Sequence, residues 1–354
     1  MVNGNQSCVL GKDVNSSYNP PIIIITCILG FIGNAIALWT FIFHVKCWKP
    51  NTVYSLNLAI ADTLLISCLP FRAVYFVRKK NWIFGEEPCR LNIFLISLHR
   101  VGSIMFLTVM AIDRYFKVVQ PHHRVNKIHT SSAVKLTGIL WILTMIACSH
   151  FLAESHSFLV NNLTYCEPFD MSKSLNPTTI WTYVLFVVFM FAFPASVILF
   201  STTSIIRKLK RMETESIGKY KRAVKLVIAV AAVFIVCFLP TNIAVIAVLI
   251  TKHLSTCESF EIAVQIFYNT LCITYLNSVL DPIIYYFSSS IFKDALEKAL
   301  VPFNLRCFKL GTSHATPIEA EGKRRVEPLR LSSIGNICDQ LQTESTDINE
   351  LRTN

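Results

Sequence analysis

Seven stretches of about twenty apolar residues run through the chain: Ile22–Phe43, Val53–Val77, Cys89–Met110 continuing to Val119, Ser132–Phe151, Ile180–Ile206, Val224–Ile250 and Ile262–Phe287. A bilayer core about 30 Å thick takes about 20 such residues of helix, and no water is present there to satisfy a bare backbone. The fold class that follows is an all-α membrane protein, a seven-transmembrane helix bundle. Composition agrees, because only 16% of the 354 residues are charged and 53% are hydrophobic. A soluble chain carries roughly 25% charged residues. Residues before Ile22 lack the short apolar core of a cleavable signal peptide, so the first span is expected to act as its own insertion signal.

Lysine and arginine in the short connections set the expected orientation. The connection after the fifth span holds Arg207, Lys208, Lys210, Arg211, Lys219, Lys221 and Arg222, and Lys46, Lys49, Lys117, Arg124 and Lys127 lie on the same side. Against them stand Arg78, Lys79 and Lys80, with Lys12, Arg90, Lys173 and Lys252. The balance places the amino terminus outside and the carboxyl terminus in the cytosol. Three N-x-S/T acceptors, at Asn5, Asn15 and Asn162, fall on the predicted outer side. The formal charge of +11 is then mostly a property of the cytoplasmic face, where it favours anionic lipid and acidic protein surfaces over nucleic acid.

The expected organisation is an outer tail over 1–21, the bundle over 22–287, an amphipathic segment over 288–310 and a polar, disordered tail over 311–354. Ile291, Phe292, Ala295, Leu296, Ala299 and Leu300 recur at helical spacing, which predicts a short eighth helix on the inner membrane surface. Cys307 follows it, either as a palmitoylation site or as a plain cytosolic thiol. Cys8, Cys89, Cys166 and Cys257 lie outside the spans on the oxidising side, which suggests two disulfides. Spacing alone leaves three pairings open.

Two arginines interrupt the third span. Arg114 lies at its inner end, where a guanidinium can snorkel or meet the adjacent Asp113. Arg100 lies eleven residues below Cys89, about 16 Å of helix. That is too deep to reach water comfortably, and the outer halves of the spans offer it no carboxylate. An unpaired buried cation is strongly unfavourable, so an anionic ligand is the natural missing partner, and a guanidinium grips a carboxylate bidentately. The alternative is a structural arginine satisfied by carbonyls. Arg72, after Pro70, reads either as an interfacial snorkeller or as a second positive group at a pocket rim, and Glu167 as its partner or as a repellent to a second carboxylate. His99, the one conspicuous histidine within the spans, reads as a polar packing residue beside the arginine. Asp62, Ser103, Asn277 and Ser278 supply oxygens from three helices, and a buried acid needs a partner.

The landmarks Gly33-Asn34, Asn57-Leu58-Ala59-Ile60-Ala61-Asp62, Trp82, Cys89, Asp113-Arg114-Tyr115, Trp141, Pro194, Cys237-Phe238-Leu239-Pro240 and Asp281-Pro282-Ile283-Ile284-Tyr285 resemble those of rhodopsin-like G-protein-coupled receptors. They stay in register over roughly Ile22 to Phe308. Further text, including LPFRAVYFVRKKNWIFG, HRVGSIMFLTV and TYLNSVLDPIIYYFSSSIF, resembles the hydroxycarboxylic acid and oxoeicosanoid receptors. Phe71-Arg72 and Cys166-Glu167-Pro168-Phe169 look most like the lactate-receptor branch.

The resemblance implies a plasma-membrane receptor for a small or lipid-derived carboxylic acid, a hydroxycarboxylic acid such as lactate, with oxidised long-chain fatty acids as the alternative. It implies signalling through inhibitory heterotrimeric G proteins and arrestin binding to a phosphorylated tail. It gives Arg100 the role of ligand anchor and makes Phe169 and Tyr275 pocket walls. Asp113, Arg114, Tyr115, Asp281, Pro282 and Tyr285 become the activation switch, and Asp62, Ser103, Asn277 and Ser278 an allosteric sodium site. It pairs Cys89 with Cys166, and Cys8 with Cys257. Departures are Val245 where close relatives carry arginine, Phe238 for a tryptophan, and Thr202 for a tyrosine. Lys219, Tyr220, Lys221 and Arg222 stand where the family has an acid. An organic-anion transporter is a remote rival, disfavoured by the lack of internal repeats. A membrane hydrolase would need a nucleophile–base pair or a metal cluster within the spans.

Overall fold

The computed structural model describes residues 19–160, 162–169, 183–211, 214–254 and 257–300. Residues 1–18 of the expected outer tail 1–21, the end of the amphipathic segment from 301 and the whole expected tail 311–354, and with them Asn5, Cys8, Asn15 and Cys307, lie outside the described residues. Six long helices are apolar enough to cross a membrane. They are α1 (Asn19–Phe43), α2 (Pro50–Val77), α3 (Glu86–Val119), α4 (Thr130–Ala153), α5 (Tyr183–Lys210) and the span Ala223–His253. The last is the greater part of α6, which begins as Thr214–Val233 and continues to Leu239–His253. The seventh apolar stretch forms two helices, α7 (Cys257–Tyr275) and α8 (Asn277–Ser288), divided at Leu276. A short amphipathic helix, α9 (Ser290–Leu300), follows. Phe292, on its apolar face, is packed beside Phe41 of α1 with ring centroids 4.5 Å apart.

Prolines mark where the spans depart from regular helix. A proline leaves the carbonyl four residues before it without its usual donor. Pro282 does this to Ser278, whose carbonyl accepts from the Asn34 side-chain amide at 2.8 Å. α1 comes close enough because Gly30 and Gly33 lack side chains there: a Cβ would meet Ser278 Oγ at 3.1 Å or Pro282 at 3.0 Å. Ahead of Pro240 the backbone widens into a π-helical turn, Phe234–Phe238. The Cys237 carbonyl in that turn accepts from the Thr274 hydroxyl of α7 at 2.6 Å. A second π-helical turn, Val188–Ala192, precedes Pro194 in α5. α2 runs through Pro70 as a single helix.

Among the described residues two large apolar clusters fill the bundle, with a small third one of Val118, Ile205, Leu209 and Val227. The outer one gathers Leu65, Val101, Val245, Leu271 and Tyr275 among others, and the inner one Leu58, Ile104, Phe238 and Ile284. Asp62, Ser103, Asn277, Ser278 and Asp281 fall between them along their helices, all fully buried. The membrane core is therefore two apolar layers with a polar belt between.

On the outer side, β1 (Ser157–Val160) and β2 (Leu163–Cys166) form an antiparallel hairpin. Asn162 takes the left-handed φ of 62° at its turn, a conformation that asparagine tolerates better than most residues. The hairpin is tied down at three points. Cys89 and Cys166 form a disulfide, Glu86 accepts from the backbone of His156 and Ser157, and Trp82 N–H donates to the Thr164 carbonyl at 2.7 Å.

Candidate ligand and switch sites

Beneath the hairpin lies a cavity of about 50 Å³, with Arg72, Arg100, Phe169, Val245 and Tyr268 in its walls. That is room for only a few water-sized atoms. α3 brings Arg100 to it at 8% exposure. Its guanidinium stands 6.0 Å from the Phe186 ring, and among the described residues it has no ion pair or hydrogen bond. Arg72 is also buried, at 2%, so it is no interfacial snorkeller. One of its terminal nitrogens donates to the Cys166 carbonyl at 3.0 Å.

Two of the expected wall residues sit elsewhere. Glu167 does not line the cavity. The hairpin turns its carboxylate onto the Tyr75 hydroxyl at 2.5 Å, and it forms no ion pair with Arg72. Tyr275 is buried but lies off the lining. Leu271, one helical turn nearer the outside, occupies that wall instead. Tyr268 lines it, as do His150, Tyr183 and Phe186. Sequence reasoning missed these four. Tyr268, Leu271 and Tyr275 do share one helical stripe, which is the signal that could have found the first.

In the polar belt, Asp62 accepts from the Tyr285 hydroxyl at 2.7 Å, and Asp281 accepts from Asn277 at 2.7 Å. His99 Nδ1 lies 3.6 Å from Asp62 Oδ1 and 3.4 Å from the Ser103 hydroxyl. It also meets the Ala61 carbonyl at 3.3 Å, so it packs in the belt as a polar residue, in keeping with its reading from the sequence. Ser278 does not join the acids through its hydroxyl, which donates back to the Tyr275 carbonyl at 2.9 Å. Oδ1 of Asp62, of Asn277 and of Asp281 are buried without hydrogen-bond partners. Buried unpartnered oxygens suit a hard cation, and the sodium ion implied by the resemblance would be held by Asp62, Asn277 and Asp281, with Ser103 beside them.

At the inner end, Arg114 Nε lies 3.4 Å from the Asp113 carboxylate, which also pairs with Lys117 at 2.9 Å. A terminal nitrogen of Arg114 donates to the Ser288 carbonyl at 3.1 Å. Ser288 ends α8, where a helix presents carbonyls that lack intrahelical donors. The arginine thus links α3 to α8. Tyr115 accepts from Gln120 at 3.2 Å.

Residues 33–285 match the family described as 7 transmembrane receptor (rhodopsin family). The chain belongs to that family. The receptor is 42% identical to mouse (Mus musculus) Hydroxycarboxylic acid receptor 1 over 291 residues, covering 82% of each chain. It is 39% identical to human (Homo sapiens) Hydroxycarboxylic acid receptor 2, covering 80% of this chain and 78% of the relative. Human Oxoeicosanoid receptor 1 is 36% identical, with 78% and 71% covered. The receptor is a multi-pass membrane protein and not an enzyme. Cys89–Cys166 is one of the two expected disulfides. Cys257 is also disulfide-bonded, while Cys8 lies outside the described residues.

Proposed function

We propose that the receptor responds to a small monocarboxylic acid whose carboxylate docks on Arg100. The single observation that carries this reading is the buried Arg100 guanidinium, which lines a cavity without any anionic partner among the described residues. The names of its relatives, hydroxycarboxylic acid receptors among them, support the same ligand class. Arg72, held on the Cys166 carbonyl, supplies further positive potential, and Phe169 and Val245 keep the rest of the cavity apolar.

The ligand shifts the bundle toward an inward-open state by binding that state more tightly, and Arg114 then exchanges Ser288 for a G protein of the inhibitory type. The amino terminus faces outward at the plasma membrane, Asn5, Asn15 and Asn162 carry glycans, Cys8 pairs with Cys257, and arrestin reads the phosphorylated tail. Sodium in the polar belt favours the resting state.

An oxidised long-chain acid is the second reading. It is favoured by an open apolar groove of about 420 Å³ between α5 and α6, lined by exposed residues such as Val184 and Ile250, which shares Tyr183 with the Arg100 cavity. Inhibition of cAMP by short hydroxy acids and by oxidised C20 acids, in cells expressing wild-type or Arg100→Ala receptor at matched surface levels, tests both. Full responses from the variant would remove the carboxylate reading. A response confined to C20 acids would leave only the second.

A further inference from the structure

We propose that the Tyr268 hydroxyl sets ligand specificity in this site by reading a second oxygen, a hydroxyl or oxo group, close to the carboxylate of the acid. The proposal rests on the reading of Arg100 as carboxylate anchor.

Tyr268 is 3% exposed, and its hydroxyl has no hydrogen-bond partner among the described residues. Buried phenols nearly always find one. This one lines the same cavity as Arg100, so a bound molecule can supply the missing partner. The ring is held in place. Phe76 and Phe267 pack against it at centroid distances of 5.7 and 5.3 Å, and the Lys80 ammonium stands 5.0 Å from its centroid. Lys79 and Lys80 both adopt left-handed φ, 54° and 63°, which for lysine persists only where the surroundings enforce it. The hydroxyl is thus a fixed group rather than one that turns to find a partner.

The cavity contains a second unpartnered donor, Arg72 Nε, but an arginine can only donate. A phenol can donate to an oxo group and accept from a hydroxyl, so Tyr268 suits both kinds of second oxygen. About 50 Å³ of space holds only a few atoms, which places that oxygen within a few bonds of the carboxylate. A short 2- or 3-hydroxy or oxo acid meets that limit, within the class that the names of the relatives give.

The test is competition binding to membranes carrying the full-length receptor, with two matched pairs of probes: 2-hydroxypropanoate against propanoate, and 3-hydroxybutanoate against butanoate. Wild type, Tyr268→Phe and Arg100→Ala are compared at equal surface levels. Wild type should prefer at least one hydroxy acid over its deoxy partner by about tenfold, the effect of one well-formed hydrogen bond. Tyr268→Phe, which keeps the ring packing, should erase that preference and leave the deoxy acid unchanged. An unaltered preference in Tyr268→Phe would overturn the proposal, as would a wild type that binds each pair equally or binds neither. Normal binding of all four acids by Arg100→Ala would instead bring down the carboxylate reading, so the two failures are distinct.

Discussion

Arg100 and Arg114 are carried on the same helix, and their partners decide what each can do. Arg100 is buried without a counter-charge among the described residues, whereas Arg114 holds Asp113 and the Ser288 carbonyl. Removing one member of a buried charged pair costs about 3–5 kcal/mol, or two to three orders of magnitude in affinity. Arg100→Ala should lose carboxylate binding by that factor, and Arg100→Lys should recover only part, because an ammonium lacks the planar fork. Arg114→Ala should bind agonist normally and fail in G-protein activation, so the two arginines are separated by measuring binding and nucleotide exchange side by side. Both were legible in the sequence because a charge in an apolar run has few explanations. Tyr268 was not, since an aromatic among apolar residues looks the same whether it packs or binds.

Glu167 gives a pH prediction at the same scale. Burial raises its carboxyl above the ordinary range, against the lowering effects of Lys80, Arg72 and the Tyr75 hydroxyl. The folded protein thus holds this proton more tightly than the unfolded chain does. Its contribution to stability is full below the ordinary carboxylate range and is lost as pH rises through the raised value. Glu167→Gln is neutral at every pH and can still accept from Tyr75, so the fall in Tm over that window should flatten. A Tm profile as steep as wild type's would show that another group titrates there.

At the scale of elements, the apolar runs coincide with the six long membrane helices found among the described residues, because length and hydropathy alone define a membrane helix. The division at Leu276 was not visible in them. It depends on where the Ser278 carbonyl finds a donor after Pro282 removes one, and that donor is Asn34, 244 residues away in sequence. Asn34→Ala should strand this carbonyl in a dry interior, at a cost of about 1–3 kcal/mol. The expected result is a lower Tm for detergent-solubilised receptor with agonist affinity still measurable. An unchanged Tm would mean that α7 and α8 satisfy the carbonyl by local rearrangement. The π-helical turns were equally hidden, although Pro194 and Pro240 marked their neighbourhood.

Over the whole molecule, the polar belt lies between the apolar layer that surrounds the ligand cavity and the one that extends toward Arg114. Tyr285 reaches up from the inner layer to Asp62, and Asn34 joins it from α1 at 3.2 Å. Packed apolar layers shift between discrete arrangements rather than deform smoothly. A belt of buried oxygens that is satisfied in one arrangement and not in the other therefore biases the bundle. Sodium is proposed to favour the resting arrangement through Asp62, and linkage makes the effect reciprocal: if sodium weakens agonist binding, agonist weakens sodium binding by the same factor, typically 5- to 150-fold. Replacing sodium with choline at constant ionic strength should raise agonist affinity within that range. Asp62→Asn keeps a hydrogen-bonding group for Tyr285 but removes the charge, so its agonist affinity should no longer respond to the exchange. Sodium should also raise the Tm of the ligand-free wild type and leave that of Asp62→Asn unmoved, a readout independent of signalling. If the variant remained as sensitive to sodium as wild type in both measurements, the ion would act elsewhere, and the belt around Asp62, His99 and Asp281 would be a structural polar network alone.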